Sequence, residues 1–126
     1  MAGEAILVVD DNPVNVKLAR AVLVRAGYDV HAAADAPGAF AILEECRPDL
    51  IITDLMLPEV SGFDLVAQLK ADDRYAKIPI IAMTASGLPR DEERARAVGC
   101  DGFMTKPFEI ETLLSLIRSS LSDLVE

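Results

Sequence analysis

Asp10, Asp11, Asp54, Thr84 and Lys106 are the residues whose types and positions can do chemistry. Each stands where an apolar run gives way to polar residues. Asp10-Asp11 follow Ala5-Ile6-Leu7-Val8-Val9, Asp54 closes Leu50-Ile51-Ile52-Thr53, Thr84 closes Ile80-Ile81-Ala82-Met83, and Lys106 follows Gly102-Phe103-Met104-Thr105. Short apolar runs bounded by turn-formers read as strands buried on both faces, as in a parallel sheet, and the carboxyl edge of such a sheet is where ligands bind. Three carboxylates gathered at that edge repel one another, and a hard divalent cation with oxygen ligands holds them ionised. Mg2+ suits this set because it keeps several waters and leaves room for a phosphoryl oxygen. Lys106 carries a compact cation on a long stem and Thr84 offers a hydroxyl, so both can reach the same oxygens. Singly, each residue has a plainer reading: helix caps at Asp10-Asp11, a turn residue at Asp54, a strand-end hydroxyl at Thr84, a solvated charge at Lys106. Joint placement at successive strand ends argues for a phosphate site.

The elements that must position these residues repeat. Pro13 suits a first helical position, with Asn12 or Asp11 as N-cap, so the first helix runs to about Ala26 and stops at Gly27. On it Leu18, Ala19, Val22, Leu23 and Ala26 share one face and pack on the sheet, whereas Val14, Val16 and Val24 fall off it. Tyr28 to Ala32 is a second strand, and Asp35 caps a helix ending near Cys46, with Phe40 and Leu43 inward. After the third strand, Pro58 and Gly62 turn the chain into a helix marked by Phe63, Leu65, Val66 and Leu69. The fourth strand spans Ile78 to Thr84 with Pro79 near its start, where a missing N–H is tolerated. A short, charged fourth helix covers about Pro89 to Val98 and ends at Gly99, and Gly102 to Thr105 is the fifth strand. Glu109 to Leu124 is an amphipathic helix with Ile110, Leu113, Leu114, Ile117, Leu121 and Leu124 in one stripe. Strand-helix repeats with connections too long for hairpins require right-handed parallel crossovers, which predicts an α/β domain with a doubly wound sheet.

At 126 residues with 52% apolar content, the chain suits one packed domain with no linker or second domain. No apolar run approaches the ~20 residues of a membrane span, and Met1-Ala2-Gly3-Glu4 lacks the basic region of a secretory signal, so a cytoplasmic protein is expected. With 21 acidic and 12 basic side chains the net charge is −9, which opposes binding to a polyphosphate backbone, and no direct nucleic-acid contact is expected. Cys46 and Cys100 lack metal-ligand spacing and read as reduced thiols in or near the core. His31, the sole histidine, lies in a strand pattern and reads as structural.

Over essentially its whole length the sequence resembles the receiver domains of two-component response regulators. The matching features are Asp10-Asp11, Asp54 after the third apolar strand, Leu57-Pro58 and Gly62 beyond it, Thr84-Ala85, and Lys106-Pro107-Phe108. The resemblance implies a flavodoxin-like fold of five parallel strands in order 2-1-3-4-5 with five helices. It implies that Asp54 accepts a phosphoryl group from the phosphohistidine of a histidine kinase or histidine phosphotransfer protein. It further implies that Asp10, Asp11, Asp54 and the backbone carbonyl of Met56 hold Mg2+, and that Lys106 and Thr84 contact the phosphoryl group. Phe103 occupies the switch-aromatic position, and Met56 and Ser86 occupy positions that tune phosphoryl lifetime. The family catalyses only its own phosphorylation and dephosphorylation, and it signals to a downstream protein through the face of the fourth helix, fifth strand and fifth helix. The nearest likeness is to stand-alone regulators, including the alphaproteobacterial cell-cycle type.

Other readings are weighed against this one. Aspartyl-phosphate hydrolases of the haloacid dehalogenase type also place an Asp nucleophile at the end of a parallel strand, but they need a second Asp two residues on, where this chain has Met56. A receiver excised from a hybrid histidine kinase or multidomain regulator would look the same at the site. A receiver that has lost phosphorylation is disfavoured because every site residue is present.

Overall fold

The computed structural model describes residues 3–85, 87–106 and 108–125, with side chains to residue 121. Its elements alternate as β1 (Ala5–Val9), α1 (Pro13–Arg25), β2 (Asp29–Ala33), α2 (Ala36–Glu45), β3 (Leu50–Asp54), α3 (Gly62–Ala71), β4 (Ile80–Thr84), α4 (Pro89–Val98), β5 (Gly102–Thr105) and α5 (Ile110–Val125). All strand pairs are parallel and the order is β2-β1-β3-β4-β5, as expected for the flavodoxin-like arrangement. The central strands β3 and β4 are buried throughout. Alternate strand residues point to opposite faces. Leu7, Val9, Ile51, Ile80 and Ala82 pack with Leu43, Leu65, Leu69 and Ala95 of α2, α3 and α4. Ile6, Val8, Ile52, Ile81 and Met83 pack with Ala19, Leu23, Leu113 and Ile117 of α1 and α5. The sheet is therefore covered on both faces, which is why its strands carry no polar alternation.

Local chemistry sets the helix ends. Asn12, rather than Asp11, caps α1, its Oδ1 accepting the Val14 N–H at 2.9 Å. Asp35 accepts the Gly38 N–H at 2.8 Å and Ser61 the Asp64 N–H at 3.2 Å. Such caps are each worth about 1 kcal/mol. Gly27 and Gly99 follow α1 and α4 at φ +99° and +113°, the left-handed conformation that lets glycine stop a helix without strain.

Three packing expectations are corrected. On α1 Ala19 and Leu23 are buried, but Leu18 is 50% exposed, Ala26 is also exposed, and Val16 is half-buried. The helix is rotated so that residues 16, 19 and 23 face inward, and Val16 lines a cavity of about 380 Å³ with Pro13, Arg20, Ala32 and Ala34. Val14 and Val24 are exposed as expected. β4 begins at Ile80 rather than Ile78, since Pro79 has no N–H to give the ladder; its carbonyl accepts the Ile51 N–H at 3.0 Å. On α5 Leu113 and Ile117 are buried and Leu114 and Leu121 partly so, but Ile110 is half-exposed over a shallow groove with Ala26 and Leu114. Leu124 of the expected stripe lies outside the described side chains.

Phe63, Leu65, Val66 and Leu69 of α3 and Leu43 of α2 are buried, with Phe40 packed beside them. Cys46 and Cys100 are free thiols. Burial, aided by the charge of Asp101, pushes the Cys100 thiol up to about 11, so it stays protonated at neutral pH. His31 sits on β2 with Nε2 3.3 Å from Asp29 Oδ2 and 3.7 Å from Cys46 Sγ.

Candidate functional site

At the carboxyl edge of the sheet Asp10 follows the last residue of β1 and Asp54 closes β3, and the two are 5% and 7% exposed. Asp10 is still tied to the edge strand through its N–H to the Ala33 carbonyl at 3.0 Å, and its Oδ1 accepts the Asn12 N–H at 2.9 Å. That bond turns the chain from β1 into α1. Asp54 is oriented in the same way, its Oδ1 accepting the Met56 N–H at 3.0 Å. The other oxygen of each carboxylate meets one ammonium, for Lys106 Nζ donates to Asp10 Oδ2 at 2.7 Å and to Asp54 Oδ2 at 2.8 Å. Lys106 reaches them because its own N–H bonds the Thr84 carbonyl at 2.8 Å, continuing the β4–β5 ladder. Asp11 is exposed, and Asp10, Asp11 and Asp54 each place an oxygen within 4.8 Å of the others.

The charges are close enough to act on one another strongly. Burial alone pulls the Lys106 ammonium down, but the hydrogen bonds and charges of Asp10 and Asp54 outweigh it, and the pKa is raised above 10.5. Lys106 is therefore fully protonated at neutral pH. Three carboxylates and one ammonium leave a double negative charge, which a divalent cation neutralises. The donors are hard oxygens, and the exposed Asp11 leaves solvent on one side, so the group fits Mg2+ with retained waters.

The remaining candidates take different places. Thr84 closes β4, is 1% exposed, and lies in register with Thr105. Met56 has its backbone beside Asp54 and its side chain 68% exposed. Phe103 is half-buried rather than free, packed against the core on the α2–α4 face. Ser86 and Pro107 lie outside the described residues.

Sequence reasoning missed two contributors. The Met56 N–H orients the Asp54 carboxylate, whereas the sequence points only to the carbonyl and the side chain of that residue. Gly62 was read as a turn-former, but its role is spatial: its N–H donates to the Leu55 carbonyl at 3.0 Å, and a Cβ there would lie 2.2 Å from the Asp54 carbonyl oxygen and 2.5 Å from Leu55 Cα. The first turn of α3 is thus laid directly on the Asp54–Leu55 peptide. The available signal was a glycine at the first helical position behind a Ser61 cap, where propensity favours almost any other residue.

Comparison with known proteins identifies the family. Residues 6–118 match the response regulator receiver domain family. The polar-differentiation response regulator DivK of Brucella anthropi is 38% identical over 120 residues, covering 95% of this chain and 98% of the relative. A chemotaxis protein of Vibrio cholerae has the same fold with a TM-score of 0.89 at 34% identity, covering 94% of this chain and 99% of that one. The receiver domain of a sensor histidine kinase from Pseudomonas aeruginosa, solved with a magnesium ion coordinated in its active-site cleft, matches with a TM-score of 0.88 at 34% identity over 96% of this chain and 99% of that one. This chain therefore belongs to the receiver domain family of two-component response regulators.

Proposed function

We propose that Asp54 is the phosphoacceptor and that Asp10, Asp11, Asp54 and the Met56 carbonyl hold Mg2+. The observation that carries this reading is the approach of three carboxylates within 4.8 Å, two of them bridged by Lys106. When bound, Mg2+ neutralises charge on the transferring phosphoryl oxygens. The chain's own residues do the rest. Asp54 is presented at the end of a rigid strand with one oxygen held by the Met56 N–H. A carboxylate oxygen attacks phosphorus, the P–N bond to the donor histidine breaks, and its electron pair returns to the imidazole. Phosphoryl transfer of this kind is mostly positioning and charge neutralisation, so a weak nucleophile suffices. Lys106 then follows the new phosphoryl oxygens, and the hydroxyl of Thr84 is drawn to them. The domain thus catalyses its own phosphorylation and dephosphorylation and turns over no separate substrate. Incubation with acetyl phosphate tests this: one phosphoryl group should be gained at Asp54 and only with Mg2+. Uptake at another residue, or equal uptake in a chelator, would overturn it.

A histidine kinase or histidine phosphotransfer protein is the donor. A kinase histidine draws its phosphoryl group from ATP, so we assign the cytoplasm. The net charge of −9 speaks against direct nucleic-acid binding. Beside the site, Val14 and Leu18 are 72% and 50% exposed on α1, a pair suited to the apolar surface of a donor's helical bundle. Val14→Asp with Leu18→Asp should slow transfer from the protein donor at least tenfold while leaving uptake from acetyl phosphate within twofold. Equal slowing with both donors would count against docking there.

Output leaves by the face of α4, β5 and α5. Phe103 stands there beside a groove of about 680 Å³ lined by Met104, Thr112, Leu116 and Arg118. As the ring is already half-buried, completing its burial gains only on the order of 1 kcal/mol, so one phosphoryl group can bias it through Thr84. Thr84→Ala should accept phosphate yet change affinity for a downstream partner less than threefold on phosphorylation, where the wild type changes it tenfold or more. A full wild-type change in the variant would remove this route. Hydrolysis of the acyl phosphate needs a water held in line with phosphorus, and the exposed thioether of Met56 is a poor partner for it. Met56→Asn should shorten the phosphorylated state's lifetime several-fold; an unchanged or longer decay time would exclude Met56 from that role.

A further inference from the structure

Helix α4 is held to the body by very little apolar contact. Of its ten residues only Ala95 is buried, and Asp91, Glu92 and Val98 are partly so. The pair formed by Glu92 and Arg96 lies along the helix itself and does not reach the sheet. Helices with so few buried contacts occupy the low end of local stability. Beside the packing of Ala95 and Val98, the exposed Arg94 reaches the core across α3: its guanidinium carbon lies 4.1 Å from the centroid of the Phe63 ring. Phe63 is only 6% exposed, so the ring is fixed and the guanidinium has a partly dry surface to stack on.

Phe63 is in turn the neighbour of Gly62, whose backbone rests on the Asp54–Leu55 peptide with no room for even a methyl group. The first turn of α3 thus carries the ring on one side and rests on the Asp54–Leu55 peptide on the other. Resting on Asp54 as the phosphoacceptor, we propose that Arg94 is a positioning residue: stacked on Phe63, it ties α4 to the Asp54 peptide through Gly62, coupling helix placement to the state of Asp54. This line is separate from Thr84 and Phe103, and it acts on α4 from the α3 side. Because coupling is reciprocal, what loosens the stack must also change how readily Asp54 takes up a phosphoryl group.

On this proposal the stack favours the unphosphorylated arrangement, so weakening it should favour the other. The test is to titrate beryllofluoride with saturating Mg2+, a mimic of aspartyl phosphate, into the wild type, Arg94→Gln, Arg94→Lys and Phe63→Leu, and to follow amide exchange in α4 without ligand. A cation–π contact of ordinary strength converts to a two- to fivefold effect. Arg94→Gln should therefore bind the mimic two- to fivefold tighter, with faster exchange across residues 89–98 and none of that gain in α1. Arg94→Lys, which keeps the charge but loses the plane, should fall between. Phe63→Leu should match Arg94→Gln, and the double variant should go no further than either. If the wild type binds the mimic but the Arg94 variants bind it equally or more weakly, or if the two changes simply add, the coupling is overturned while the reading of the site stands. If the wild type fails to bind it, the phosphoacceptor reading fails and takes this proposal with it.

Discussion

Asp54→Asn should fold as the wild type does and take up no measurable phosphoryl group, a loss of at least a thousandfold. The amide keeps an oxygen that can accept the Met56 N–H, now at 3.0 Å, so the connection from β3 keeps its shape. Lys106 loses one of its two carboxylate partners but retains Asp10 at 2.7 Å, so the ammonium is not left unpaired in a buried place. Removing one of three crowded like charges offsets part of what the lost ion pair costs. The melting temperature should therefore move by only a few degrees. Chemistry is affected very differently, because the neutral amide oxygen lacks the negative charge of the carboxylate and is a far weaker nucleophile, and attack through it would leave a cationic adduct. Thermal melting followed by circular dichroism and phosphoryl incorporation from acetyl phosphate and from a phosphohistidine donor check both halves. Incorporation into the variant at the wild-type rate would remove Asp54 from the role assigned to it.

Gly62→Ala separates two opposing effects by magnitude. Helix propensity alone favours Ala over Gly by about 1 kcal/mol, and Gly62 does not need a positive φ, so a sequence-based reading expects a small gain. The close approach of Gly62 to Asp54 and Leu55 argues the reverse. A Cβ 2.2 Å from the Asp54 carbonyl oxygen and 2.5 Å from Leu55 Cα meets backbone on both sides, and neither can rotate away as a side chain would. Overpacking of this kind costs about 1–3 kcal/mol and occasionally more; with backbone on both sides the upper end, about 3 kcal/mol, applies, and subtracting the propensity gain of about 1 kcal/mol leaves a net loss of about 2 kcal/mol, with the melting temperature lowered on the order of 10 °C. Relief of the clash must also move the peptide that carries the nucleophile, and a displacement near 1 Å costs about a hundredfold in rate. Phosphoryl uptake should therefore be slowed by that order at temperatures where the variant is fully folded. A variant as stable and as reactive as the wild type would show that α3 can shift without disturbing Asp54.

The alternation of strands and helices was legible in the sequence because it rests on local chemistry. Apolar runs such as Ala5–Val9 and Leu50–Thr53 declare buried strands, Asn12 and Asp35 cap helices, and Gly27 and Gly99 stop them at positive φ. Because those runs end on Asp10, Asp54 and Thr84, the parallel fold was enough to bring the site residues to one edge. Other features were decided only by tertiary packing. Which apolar residues of α1 face the sheet depends on the rotation of the helix against its neighbours, and an almost all-round sprinkling of Val, Leu and Ala leaves that angle open; hence Val16 turned in and Leu18 out. The bridge from Lys106 to two carboxylates, the pressure of Gly62 on Asp54 and the stack of Arg94 on Phe63 join residues far apart along the chain or across a turn. Their distances are set by the register of the β1–β3–β4–β5 pairing and the depth at which each helix seats. Propensity and periodicity describe one segment at a time, whereas those distances are properties of segments packed together.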